Sequence, residues 1–374
     1  MNLAKKIKEY GKKIGLDEVK ITTAESLSTV KDFLTEMKKE DKLSKFVKSD
    51  LDLITDPKQV LPTAKSVIVT AISYKVDINQ VPNLKKDLRG KLSKFAWGED
   101  YHNVIGSKLD QLRAFLNKKD PTVETKKFVD TAPTVDRALA RRAGIGWQGK
   151  NCSIIHEEYG SWIFIGGIIT NLKLETDMPI KNKCKGCQKC IEACPTGALE
   201  EPYVLNSSKC LGYITLSKGY IENEKRKAMG TRLWGCDTCQ DVCPYNQEAK
   251  SGNHVEFQPQ TVEHYPRLPT LLTLTNKEYK EKFSSTAMNW RGKRPIQRNA
   301  AIIMGNLKNP KAISYLIDGL EDPKPIVRAH SAWALGEIGD DSIVIDLRKA
   351  LAREGKKRVK EEIRKVINQL LDGC

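Results

Sequence analysis

Cys184-Lys185-Gly186-Cys187-Gln188-Lys189-Cys190-Ile191-Glu192-Ala193-Cys194-Pro195 decides what this 374-residue chain can be. Three closely spaced cysteines and then a fourth followed by proline is [4Fe-4S] ligand spacing, in which the fourth thiolate reaches across to a neighbouring cluster. A second run, Cys236-x2-Cys239-x3-Cys243-Pro244, lacks its leading cysteine because Leu233 stands where one would be needed. Cys210 is the stand-in, so the chain between Cys210 and Cys236 must loop out and return. The expected ligand sets are Cys184, Cys187, Cys190 and Cys243 for one cluster, and Cys194, Cys210, Cys236 and Cys239 for the other. Two structural zinc sites are the alternative, although zinc usually draws its cysteines as separated pairs. Disulfides are disfavoured: Lys5, Lys6 and Lys8 are followed by no apolar core of an export signal, and the chain reads as cytoplasmic.

Upstream, residues 1–177 mix helical and strand signals and are expected to form an α/β domain. Residues 1–15 have the pattern of an amphipathic helix. Ser66–Ile72 and Trp162–Ile169 are apolar, β-branched runs that read as buried strands, with Ser153-Ile154-Ile155 before the second. Residues 178–247 form the ferredoxin-like domain with two [4Fe-4S] clusters, and 248–290 read as a polar, proline-bearing connecting segment. Residues 291–374 contain a repeat: Ala301–Leu307 matches Ala332–Ile338 at an offset of 31, shared by Leu320 and Leu351. Asn309-Pro310 and Asp322-Pro323 mark turns, so each unit reads as a helix pair of HEAT type, closed by a capping helix over 356–372.

With 63 Lys+Arg against 47 Asp+Glu the net charge is +16, which favours a polyanionic partner, nucleic acid before others. No apolar stretch is long enough to span a membrane. The basic segment Trp290-Arg291-Gly292-Lys293-Arg294-Pro295-Ile296-Gln297-Arg298 at the head of the repeats suits RNA phosphates, with Trp290 able to stack on a base or simply pack. Gly144-x-Gly146-x-x-Gly149 fits a dinucleotide template, but Val135–Arg142 before it reads as a helix and Asn151–Ile155 after it as a strand. That is the reverse of what the template needs. The glycines are better suited to a tight turn or a close backbone approach.

Ser93–His102, Phe128-Val129-Asp130-Thr131-Ala132-Pro133, Ala143–Lys150, Cys194–Ala198 and Gly235–Pro244 occur in this order, and together they resemble the epoxyqueuosine reductases over essentially the whole length. The resemblance implies the last step of queuosine synthesis, reduction of epoxyqueuosine to queuosine at the tRNA wobble position. It implies cobalamin in the N-terminal domain beside the two [4Fe-4S] clusters, and an external low-potential electron donor. It makes Asp130, at the end of an expected strand over Lys126–Val129, the general acid. Ser93, Tyr101, His102, Asp130, Gly146, Trp147, Lys150 and Ser153 become cofactor-binding residues, and Trp290, Arg291, Lys293, Arg294 and Arg298 tRNA contacts. Some relatives carry cysteine where this chain has Ser93, which argues against an obligatory thiol there. Cys152 and Cys374 fall outside the cluster sets, as a small buried residue and a frayed terminus. Asp136 and Arg137 either form a structural pair or touch substrate, and a monomer is expected. A corrinoid reductive dehalogenase and a non-catalytic iron–sulfur carrier with an RNA-binding tail are the competing classes. The first usually has an export signal and no HEAT repeats; the second has no use for a large N-terminal domain.

Overall fold

The computed structural model describes residues 2–47, 50–78 and 80–372; Cys374 lies outside them. The chain forms two compact units, each assembled from three segments. Met1–Asp77, Glu99–Cys210 and Thr238–Gln258 make the first; Ile78–Gly98, Leu211–Asp237 and Pro259–Cys374 make the second. In this division residues 178–247 contribute to both units, and 259–290 falls with the second. Leu211–Asp237, the excursion between Cys210 and Cys236, folds with the repeats, and much of 259–290 does too. Leu268, Leu271, Leu272 and Phe283 are buried along two helices, Leu268–Leu272 and Asn276–Phe283. The second opens with a capping box between Thr275 and Glu278.

The first unit is built on a four-stranded antiparallel sheet in the order Glu18–Thr23, Ser66–Ser73, Ile163–Thr170, Thr125–Phe128. Ser66–Ser73 is buried at every residue. That is why its sequence shows an unbroken β-branched run instead of alternation. On one face Val67, Val69, Ala71, Ile169 and Phe128 pack with Leu139, Ala140 and Ala143 of the helix Asp136–Ala143. The helix Tyr101–Lys119 covers the other face, where Gly166 makes room for Ile105: a Cβ at Gly166 would come within 2.8 Å of the isoleucine side chain. At Gly167 a Cβ would meet the Ile68 carbonyl oxygen at 2.2 Å and the Phe128 ring at 2.5 Å. The sheet thus carries the Tyr101 helix start and the chain leaving Thr125–Phe128 on one rigid base.

In the second unit the repeat is realised as helices Lys293–Leu307, Ile313–Gly319, Pro325–Ile338 and Val344–Arg353, followed by Lys357–Leu371. The 31-residue offset has a packing basis. Gly305 admits Ala334, whose Cα would lie 2.7 Å from an added Cβ, and Gly336 admits Val366 at 2.9 Å, so successive long helices close on a glycine at the equivalent position.

Replacing Gly167 with alanine should destabilise the protein by about 1–3 kcal/mol, because neither a backbone oxygen nor a packed ring can give way. Gly355→Ala, with nothing within 4 Å of the new methyl, should stay within about 0.5 kcal/mol. Thermal unfolding of the two variants checks this.

Candidate active site

Tyr101 is the first residue of its helix, whose N-cap Asp100 accepts the His102 backbone N–H at 3.0 Å. The same Asp100 oxygen lies 2.7 Å from His102 Nδ1. Burial alone would lower the His102 pKa, but the bond to Asp100 and the field of Asp100, Asp130 and Asp136 raise it above the ordinary value. The Tyr101 ring stacks on Phe164 of the sheet at 4.3 Å, which fixes its hydroxyl. That hydroxyl donates to Asp130 at 2.8 Å. Burial and then the Asp130 charge raise the Tyr101 pKa, so the phenol stays a donor. His102 Nε2 is 3.8 Å from Asp130 and, though buried, has no hydrogen-bond partner.

A general acid that holds its proton near neutrality calls for an apolar pocket around Asp130. Its side chain is instead 65% exposed. The carboxyl raised by burial is Asp136, pushed up to about 7, with the neighbouring Asp130 charge adding to the shift. Asp136 accepts the backbone N–H of Asp130 at 2.8 Å and the Thr134 hydroxyl at 2.5 Å. Its neighbour Arg137 donates to the Cys152 carbonyl at 2.7 Å.

The glycine loop is preceded by a helix and contains the short strand Trp147–Gln148, which pairs with Ile154–Ile155 after it. It holds the cysteine loops. A Cβ at Gly146 would strike the Ile155 carbonyl oxygen at 2.2 Å. Trp147 is buried against Ile155 and Cys243, with Cys184 and Tyr245 beside them. Lys150 donates to the Lys185 carbonyl at 2.8 Å, inside the first ligand run. The Ser153 carbonyl accepts the Gly149 N–H at 2.8 Å, closing the turn. Asn151, which sequence reasoning missed, reaches the Cys239 carbonyl at 3.4 Å. Burial and the neighbouring thiols raise the pKa of both Cys243 and Cys190: Cys243 lies in the field of Cys184 and Cys187, and Cys190 in that of Cys243 and Cys184. The Cys194 sulfur accepts the Ala198 N–H at 3.2 Å, and such bonds hold its thiol pKa down against burial, the environment a thiolate ligand requires. Cys152 is buried and its thiol is pushed up to about 11 by desolvation, which suits a packing residue. Among the described residues no trio of His, Cys, Asp or Glu closes tightly enough to chelate a single ion, a closeness that thiolates spread around a four-iron cube do not need. Ser93 belongs to the second unit, where its hydroxyl donates to buried Asp237, next to Cys236.

Three family models match the chain: a 4Fe-4S double cluster binding domain over 183–246, epoxyqueuosine reductase QueG, DUF1730, over 55–131, and HEAT repeats over 291–368. The epoxyqueuosine reductase of Bacillus subtilis is 41% identical over 370 residues, covering 98% of this chain and 96% of the relative. A crystal structure of epoxyqueuosine reductase with a tRNA-Tyr epoxyqueuosine-modified stem loop superposes with a TM-score of 0.96 at 41% identity, covering 99% of both chains. A Bacillus subtilis epoxyqueuosine reductase structure with its catalytic aspartate loop swung out of the active site gives 0.95 at 40% identity, covering 98% of each chain. The chain belongs to the epoxyqueuosine reductase family.

In this family member the basic segment is only partly available to RNA. Trp290 is 54% exposed with the Arg291 guanidinium over its ring at 4.5 Å, and Arg294 is exposed. Arg291 donates to the Leu216 carbonyl and Lys293 to the Leu274 carbonyl, each at 2.8 Å. Arg298, expected to touch phosphate, is fully buried. Its guanidinium, pushed down to about 9 by desolvation, donates to the carbonyls of Ser217 at 2.9 Å and Gly219 at 2.6 Å, with Thr215 at 3.3 Å. Asn299 adds bonds to the Thr215 and Leu233 carbonyls, both at 2.8 Å. The pair therefore clamps the Leu211–Asp237 excursion, a role that a run of basic residues does not reveal.

Arg294→Gln should reduce the salt slope of RNA binding by about 0.7–0.9 in a log–log plot. Arg298→Met should instead cost about 1–3 kcal/mol of stability through the carbonyls it strands, with no specific change in that slope. The folded state holds the Asp136 proton more tightly than the unfolded chain, whose carboxyl titrates near 3.8. Stability from this group is therefore present at about pH 4 and is lost as pH rises to about 7. Melting curves across that window should fall in the parent protein and flatten in Asp136→Asn.

Proposed function

We propose that this chain reduces epoxyqueuosine to queuosine in the anticodon loop of tRNA, the epoxide oxygen leaving as water with the uptake of two electrons and two protons. The observation that carries the reading is the Asp130 carboxyl, held by the Tyr101 hydroxyl at 2.8 Å and open on its other side, in a member of this family. The Bacillus subtilis structure with a catalytic aspartate loop supports placing the chemistry on an aspartate of this kind. Asp130 delivers a proton to the departing oxygen. Tyr101 orients it, and His102, raised by Asp100, favours the anionic carboxylate left after transfer.

Electrons arrive one at a time from an external low-potential donor. Cys184, Cys187, Cys190 and Cys243 would hold one [4Fe-4S] cluster and Cys194, Cys210, Cys236 and Cys239 the other, and the pair would supply the one-electron relay. The grouping of Cys184, Cys187, Cys190 and Cys243 in one another's field supports the first set. Cobalamin fits the N-terminal site through the unpartnered buried His102 Nε2 and the exposed Asp130 beside it. When bound it supplies a strongly reducing cobalt centre for breaking the epoxide C–O bond. Tyr101 and His102 would hold it, while Gly146, Trp147, Lys150 and Ser153 act from the loop that packs against the cysteine runs. Trp290, Arg291, Lys293 and Arg294 contact the tRNA.

Asp130→Asn should lose at least about 10²-fold in single-turnover reduction of an epoxyqueuosine stem loop, with iron content unchanged; near-normal turnover would remove Asp130 from the reaction. Cys243→Ser should lose about half of the iron, whereas Cys152→Ser should keep all of it. Iron analysis after anaerobic reconstitution reads both.

A further inference from the structure

The turn that carries Asp130 is not a comfortable one. Asp130 has φ +51°, a left-handed conformation that a non-glycine residue adopts at a cost. The Thr131 N–H closes on the Val129 carbonyl at 2.5 Å, a three-residue turn with Asp130 at its centre. A second such closure follows, Thr134 N–H to the Ala132 carbonyl at 2.8 Å. A strained turn persists only where its surroundings over-determine it. Here the restraint comes from one side chain. Asp136, the first residue of the helix packed on the sheet, spends one carboxyl oxygen on the Asp130 N–H and the other on the Thr134 hydroxyl.

We propose that Asp136 is the positioning residue for the proton donor: as a carboxylate it latches both ends of the strained Val129–Thr134 turn, so that the Asp130 carboxyl meets the Tyr101 hydroxyl beside His102. The inference rests on the reading of Asp130 as the donor. Ionised, Asp136 accepts at both oxygens; protonated, one oxygen becomes a donor and a loop contact must turn or loosen. Its carboxyl is pushed up to about 7, so the two forms exchange near neutrality. The titratable and charged groups that face it are Asp130 from the turn, Tyr101 and His102 from the opposing helix start, and Arg137 on its own helix. Arg137 is bonded to the Cys152 carbonyl, so the latch sits on a helix tied to the loop that packs against the cysteine runs. Asp136 touches neither electrons nor substrate in this account; it acts through Asp130.

The test compares Asp136→Asn, Asp136→Glu and Asp130→Asn in the reconstituted full chain, each with parental iron content. Amide hydrogen exchange is read at Asp130 and Thr131 as protection factors, and epoxyqueuosine stem-loop reduction by single turnover. In the parent, protection should rise with pH through about 7. In Asp136→Asn it should be low and flat, with the reduction rate down by about 10²-fold and stem-loop affinity within about twofold. Asp136→Glu should restore part of both. Asp130→Asn should lose reduction yet keep protection, with its rise moved to lower pH because the Asp130 charge that adds to the Asp136 shift is gone. Parental protection and rate in Asp136→Asn, with Asp130→Asn inactive, would overturn the positioning role alone; normal reduction by Asp130→Asn would overturn the donor reading and this inference together.

Discussion

Cluster thiolates have to be held in place by a stretch of chain that cannot bury a core of its own. Around the first cysteine run, residues 178–197, no apolar side chain of the described residues is buried, so the geometry of the run is imposed from outside. In the first unit the imposing element is the loop Gly146–Ser153, which uses Trp147 as an apolar floor and Lys150 and Asn151 as donors to carbonyls at Lys185 and Cys239. In the second, Arg298 and Asn299 spend a buried guanidinium and an amide on the carbonyls of the excursion that ends at Cys236. A buried cation without a carboxylate partner is costly. Here four backbone acceptors and the Asn299 side chain share its donors, trading stability for one fixed path of the chain.

The donor site follows the same logic. Asp130, the proposed proton donor, is exposed and strained, and neither property would keep it aimed. Aim comes from Phe164 beneath Tyr101, from Tyr101 to the carboxyl, and from Asp136 to the backbone of the turn. The desolvated carboxylate that costs stability at neutral pH is thus the one that holds the turn, and a cost concentrated at a working site is the usual signature of function. Arg137 joins this latch to the loop under the thiols, so the donor turn and the cluster loop rest on one short helix.

Much of this was legible in the chain. Ligand spacing marked the region as a double-cluster module, with Cys210 proposed as the displaced ligand, because closely spaced thiolates closed by Cys-Pro leave a periodic mark in the chain. Unbroken β-branched runs marked the two central strands within one residue, and the 31-residue offset marked helices that close on Gly305 and Gly336. Glycine context rejected a dinucleotide site, since helix-before and strand-after survives in the fold.

What the chain could not declare is where a charge ends up. Arg294 and Arg298 differ only by one helical turn, yet the first is exposed and the second fully enclosed, because burial depends on which face meets the Leu211–Asp237 excursion. Asp130 and Asp136 are equally plain aspartates in sequence, and only packing leaves the first open and desolvates the second. Composition, spacing and period therefore determined the elements, the thiolate chemistry and the family. Tertiary structure decided which carboxyl bears the raised pKa, which arginine clamps instead of binding, and how the chain divides. Those outcomes are set by solvent exclusion between segments far apart in the chain, a quantity that local sequence does not contain.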